Sequence, residues 1–265
     1  MSSIVRVSPT LLSEHALRSE LVQRAVSVLE GDLEVAALLK MANVMAVSRL
    51  GYNDHGPIHA KIVAGSALEL LERLIAAGVK PSSLVNKTAK SIDEVKVLVV
   101  LAAYLHDIGN SIHRDMHEKL SALLAKDIID RILLKVLEGV GNRLVLLRCE
   151  AMHAIYATAY DVQCLTVEAG VIKIADGLDM SEGRARVPYE KGKIDMHSVS
   201  ALSIKEVCVG RGEKRPIRIT VKSDDTAGLF QIENILLPKI RTSGLENYIE
   251  TALYSQDRIL VNYPH

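Results

Sequence analysis

The chain has 265 residues, 49% hydrophobic and 24% charged, enough apolar material for one large domain or a medium domain plus a small one. Its 32 basic and 32 acidic residues cancel, so no global field draws it to nucleic acid or to an anionic membrane. With no Trp and one Phe, it is poor in the aromatic faces on which single-stranded nucleic acid stacks.

In chain order, residues 1–10 hold no long apolar stretch, so no signal peptide is expected. Apolar residues at three- and four-residue spacing predict helices over 11–29 and 33–50, with Gly31-Asp32 as stop and N-cap. Turn residues make 51–57 a loop, and Pro57 suits the first turn of a helix running to about Ala77. On that helix Ile58, Ile62, Val63, Leu70, Leu71, Leu74 and Ile75 form the expected inner stripe. Ser91-Ile92-Asp93-Glu94 reads as a capping box. The helix it opens is apolar nearly all round from Val95 to Leu105 and belongs in the middle of a bundle. The run 97–105 is nevertheless far shorter than the ~20 residues that cross a bilayer. Further helical patterns cover 115–138, 142–158 and 164–180.

The character changes after about Arg186. Residues 201–209 and 216–221 are β-branched runs flanking a hairpin turn at 210–214, a helix follows over 227–240, and strand-like pieces lie near 246–254 and 258–263. The expected fold class is mainly α, a helical bundle over 1–186 with a small α+β domain over 187–265. Cys149, Cys164 and Cys208 form no close pair and read as reduced, buried thiols of a cytoplasmic protein.

The chemistry concentrates on buried polar residues. His106 and Asp107 end the most hydrophobic helix, where unpartnered polar groups are costly; a divalent cation would satisfy both, as would neighbouring side chains. His59 shares a face with Val63, Ser66 and Leu70, and Asp176 shares one with Ile172 and Ala169. His117 leads the stripe Leu120, Leu124 and Ile128, and His153 has Cys149 and Leu146 behind it. Five helical segments thus each aim an imidazole or carboxylate inward, which favours a shared metal over five separate accidents.

The order His59, His106-Asp107, Asp176 resembles the H…HD…D signature of the HD-domain superfamily of metal-dependent phosphohydrolases. His59-Ala60-Lys61-Ile62-Val63 is similar to its first motif. Leu105-His106-Asp107-Ile108-Gly109 is similar to the second and Ile174-Ala175-Asp176-Gly177-Leu178-Asp179 to the last, while 117–122 resembles the His-bearing segment between them. The resemblance spans about 40–185 and implies an all-helical bundle with His59, His106, Asp107 and Asp176 around one divalent ion. His117 and His153 match positions that hold a second ion in binuclear members; around a single ion they would contact phosphate or donate protons. The segment 151–160 carries one histidine rather than an adjacent pair, Asn110 follows Gly109, and no Gly-Tyr-Pro follows. The cyclic-dinucleotide phosphodiesterases of the HD-GYP type are therefore set aside.

The resemblance implies hydrolysis of a phosphomonoester or nucleotide-like phosphoester by a metal-activated water, with Asp107, His117 and His153 as catalytic candidates. Mixed nitrogen and oxygen ligands suit Mn, Fe, Co or Ni. Among the cations near the motifs (Lys61, Arg114, Lys173, Arg184 and Arg186), Arg184 and Arg186 are the expected phosphate contacts, or else an interdomain salt bridge. Lys61 is expected in solvent, His55 at the pocket mouth, and His113 equally in or out. Asp179 either supports the ligands or caps a turn, and His15, His197 and His265 are expected on the surface. The rival readings are an HD-type di-iron oxygenase and a regulatory ligand-binding module. The expected partner is a small phosphorylated molecule, a nucleotide among the candidates. Neither membrane nor nucleic acid is expected, and a strand edge in 187–265 offers a route to homo-oligomers.

Overall fold

The structure, a computed structural model, describes residues 4–180, 196–256 and 258–264. A short strand β1 (Val5–Arg6) precedes helices α1 (Leu11–Ala16), α2 (Glu20–Glu30) and α3 (Leu33–Asn43). Asp32 caps α3 by accepting from the amides of Glu34 and Val35. The helix predicted over 33–50 changes character at Val44, where a wider π turn (Val44–Arg49) carries the chain into the 51–56 loop. Pro57 then opens α4 (Pro57–Ala76). Ile58 is 57% exposed, not part of the inner stripe, because the buried face is centred on His59, Val63 and Ala67.

After a single turn, α5 (Ser82–Val85), the central helix α6 (Ile92–Leu105) begins at Ser91, whose hydroxyl accepts from the amide of Glu94. Glu94 returns to the Lys90 amide, one residue before the capping-box position. Every residue from Val97 to Leu105 is buried, since α6 is enclosed by α2, α4, α8 (Arg143–Tyr156) and α9 (Val167–Leu178). A 3₁₀ turn (Ile108–Ser111) joins α6 toward α7 (His117–Val136). Mainly α is therefore the correct class.

The C-terminal part opens with α10 (Met196–Ser203), so the strand expected from 201 begins only at 204. Strands β2 (Ile204–Arg211) and β3 (Ile217–Ser223) form the expected hairpin. Next come α11 (Gly228–Gln231), a π turn (Ile232–Leu236) and α12 (Leu237–Thr242), where one continuous helix was expected. They form the crossover that lets β4 (Ile249–Ser255) pair parallel to β3, and β5 (Arg258–Tyr263) closes antiparallel to β4. The sheet order is β1-β2-β3-β4-β5, with Val5 opposite Val209. Two residues are too few to show an alternating pattern, which is why β1 was not anticipated. One buried apolar cluster runs from Leu98 and Ile174 to Ile219 and Ile232, so helices and sheet share a core. Among the described residues no helix is long and apolar enough to cross a membrane.

Candidate metal centre

His106 caps the end of α6, and Asp107 breaks the helix with φ −108° and ψ 0°. Gly109 is required two residues on. A Cβ there would lie 2.1 Å from the His117 carbonyl oxygen and 2.6 Å from the Ser121 nitrogen. The Gly109 amide instead donates to Ser121 Oγ at 2.7 Å, pressing the turn against the start of α7 and bringing His117 beside Asp107. Helix α4 supplies His59 and α9 supplies Asp176.

These residues meet. His59 Nε2 lies 3.3 Å from His106 Nε2, Asp107 Oδ2 and Asp176 Oδ1. His106 Nε2 lies 3.6 Å from the same two carboxylate oxygens. The tautomers follow from what holds the opposite ring nitrogens. His106 Nδ1 is 2.7 Å from the Ala103 carbonyl, which only accepts, so Nδ1 carries the proton. His59 Nδ1 is 2.7 Å from Asp179 Oδ2 and donates in the same way. In the neutral rings both Nε2 atoms then present lone pairs to two carboxylate oxygens. Four acceptors converge with no donor among them, an arrangement that a cation resolves.

Around this cluster the partners of Asp107 are fixed. His55 Nδ1 approaches Oδ2 at 2.5 Å, Asn110 Nδ2 donates to Oδ1 at 3.1 Å, and His117 Nε2 stands 3.3 Å from Oδ1. His55 is thus buried against Asp107, deeper than a pocket mouth. Its loop is held by Asn43, whose Oδ1 accepts from the His55 amide and whose Nδ2 donates to Asp54. His117 Nδ1 donates to the Arg114 carbonyl at 2.9 Å, leaving Nε2 to accept from Arg114 Nη1 at 3.1 Å. The Arg114 guanidinium also donates to Asn110 and lies over the Tyr52 ring.

Burial would raise the pKa of both ligand carboxyls, but their neighbours reverse it. With no metal bound, the positive charge that His106 and His55 can carry, together with the hydrogen bond from His117, brings Asp107 well below the usual carboxylate range. Lys239, His106 and His59 do the same for Asp176.

Lys239 on α12 was not foreseen. Its Nζ donates to Asp176 Oδ2 at 2.6 Å and is buried. The available signal was a lone lysine inside the apolar run 235–240, which looks in sequence like an ordinary surface position.

Other expected site residues lie elsewhere. His153 Nε2 accepts from the Leu165 amide at 3.2 Å and does not join the cluster. Its supposed inner face was misassigned: Leu146 is 46% exposed and Cys149 is exposed, while Leu147, Ala151, Ala154 and Ile155 are the buried residues of α8. Lys173 is buried and donates to the carbonyls of Ala159 and Val162. Lys61 pairs with Glu30, and His113 is on the surface. Arg184, Arg186 and His265 fall outside the described residues, as does the His197 side chain.

His15 is buried, not on the surface, 3.1 Å from Glu69 and 3.5 Å from Glu72. Those carboxylates also pair with Arg73, Lys96 and Arg18, so the two negative charges of this second His–Glu cluster are met by cations without a metal.

Residues 55–181 match the family model of the HD domain. The chain is 47% identical over 216 residues to the uncharacterized protein MJ1020 of Methanocaldococcus jannaschii, a match covering 82% of each. No solved structure matches the chain. HD-domain proteins bind divalent metals and are in general hydrolases. The matched span holds His59, the His106-Asp107 pair and Asp176 converging on one point, and with it the chain belongs to the HD-domain family.

Proposed function

We propose that this protein is a metal-dependent phosphohydrolase that cleaves a phosphomonoester or nucleotide-like phosphoester with water. The observation that carries the reading is that the Nε2 atoms of His59 and His106 each lie 3.3–3.6 Å from Asp107 Oδ2 and Asp176 Oδ1, while both Nδ1 atoms are engaged elsewhere. His59, His106, Asp107 and Asp176 would hold a divalent ion, with Mn, Fe, Co or Ni suited to the donor set. Such an ion, when bound, lowers the pKa of water toward neutrality and polarises a phosphoryl oxygen.

The chain's own residues supply the rest. Asp107, bracketed by His55 and His117, would orient the attacking water and take its proton, which His55 would relay outward from Oδ2. Attack on phosphorus forms one P–O bond as the ester P–O bond breaks, and the departing oxygen needs a proton. His117 is the candidate donor on the Oδ1 side, once its Nε2 has taken a proton from solvent in place of the hydrogen bond from Arg114. Arg114, anchored on Asn110 and Tyr52 beside His117, is a further candidate for holding the phosphoryl oxygens, together with Arg184 and Arg186.

The rival oxygenase reading needs six ligands. His153 is engaged by the Leu165 amide, which leaves His117 without its expected partner and favours a single ion. The test is metal analysis of the purified protein followed by a phosphoester panel with added Mn, Fe, Co or Ni, comparing wild type with Asp107→Ala. Phosphate release lost in the variant, with no oxygen consumption, supports the reading. A metal-loaded wild type that hydrolyses nothing in a broad panel sinks it.

A further inference from the structure

Lys239 reaches the cluster from the C-terminal part of the chain. Its ammonium is 2.6 Å from Asp176 Oδ2, the oxygen that faces away from His59 and His106. The stem lies in a slot next to Gly177, where a Cβ would stand 3.1 Å from Lys239 Cδ. Nζ also sits 4.6 Å from the centroid of the Tyr160 ring and 3.4 Å from the Thr158 carbonyl. Burying a lysine is costly unless its charge is used, and Asp176 is the carboxylate that it contacts.

The charge count shows the use. With His55, His59 and His106 neutral, Asp107, Asp176 and Asp179 place three negative charges here, and Lys239 offsets one of them. Arg114 and Glu118 flank His117 with opposite signs and cancel. The residual charge of two minus is what one divalent ion neutralises.

We propose that Lys239 is a positioning residue that acts as a resident counter-cation: it occupies one oxygen of Asp176, leaves the other to the metal point, and matches the site's charge to a single divalent ion. This rests on the metal reading above. Lys239 both orders Asp176 and repels the incoming ion, and in a buried site the Coulomb contribution is the larger. Removing the charge while keeping a donor should therefore tighten metal binding and weaken the metal-free protein. A purely structural lysine would lower stability with and without metal alike and leave affinity unmoved.

The experiment uses the full chain as wild type, Lys239→Gln and Lys239→Arg. Mn²⁺ affinity is read by competition with a chelating dye, and melting temperatures are taken with and without Mn²⁺. The expected result is about tenfold or greater tightening in K239Q, a lower metal-free Tm, a larger Tm rise on adding Mn²⁺, and a wild-type-like affinity in K239R. Equal or weaker Mn²⁺ binding by K239Q overturns the proposal, as does tightening in K239R equal to that in K239Q, which would assign the effect to packing. If K239Q folds only with Mn²⁺ present, it is prepared loaded and its metal loss into excess chelator is timed. Slower loss than wild type supports the proposal and equal or faster loss overturns it. A wild type that binds none of Mn²⁺, Fe²⁺, Co²⁺ or Ni²⁺ is a separate outcome, because it overturns the metal reading itself.

Discussion

Asp179 Oδ2 stands 2.7 Å from His59 Nδ1, so a carboxylate one turn beyond Asp176 decides which nitrogen of His59 faces the cluster. Both groups are buried, and α9 ends at Leu178, which turns Asp179 back toward α4. The pair fixes the ring orientation and raises the basicity of Nε2, as partners of metal-bound histidines do.

Replacing Asp179 with Ala frees the His59 ring to rotate and removes a negative charge. Divalent-metal affinity should fall by ~10–100-fold while the ligands themselves remain. Titration calorimetry with Mn²⁺ checks this; an unchanged dissociation constant would mean that Asp179 only caps the end of α9.

Gly109→Ala acts on the backbone. The added Cβ would overlap the His117 carbonyl oxygen and the Ser121 nitrogen, both main-chain atoms that cannot swing aside. The turn must separate from α7, taking His117 from Asp107. We expect a loss of about 1–3 kcal/mol or more, the range for overpacked sites, with weakened metal binding. Chemical denaturation and Mn²⁺ titration of one preparation read both. Wild-type stability would show that the turn can slide past α7.

Much of the site was legible because its residues lie on strongly periodic helices. His59 and Asp176 share faces with buried apolar neighbours, and those faces converge in space as well as in pattern. His153 failed for the converse reason: α8 carries apolar residues on more than one side, so Leu146 and Cys149 marked a face that turned out to be exposed. Lys239 and Asn43 act across the fold, and no local pattern reports a contact between residues 176 and 239. In the C-terminal part, hairpin chemistry gave β2 and β3 to within a few residues, whereas β1 joins the sheet through long-range pairing alone.

Lys173 gives a contrast with Lys239. Its ammonium is also buried, but it donates to carbonyls beyond the end of α8, and burial pulls its pKa down to about 8. Lys173→Met should leave carbonyl oxygens of Ala159 and Val162 short of a donor and cost about 2 kcal/mol, with Mn²⁺ affinity unchanged. A change in metal affinity would place Lys173 in the electrostatics of the site after all.

The buried cluster of His15, Glu69 and Glu72 should make stability depend on pH from both sides. Burial pushes the His15 pKa down, but contacts with Glu69 and Glu72 outweigh it and raise the pKa above 6.5. Its contribution is therefore full below about 6.5 and is lost as pH rises through the folded value. Burial pushes Glu72 up, yet His15 and Lys96 bring it from 4.5 to about 2, so its contribution is lost as pH falls from about 4.5 toward 2. Arg73 and Arg18 complete the charges facing the ring. Between those limits the cluster stabilises the packing of α1 on α4 most. His15→Asn removes the alkaline-side loss, so the stability difference between wild type and variant should shrink as pH rises from 6 to 9. Urea denaturation across that range measures it, and a difference independent of pH would show that His15 stays neutral beside its two carboxylates.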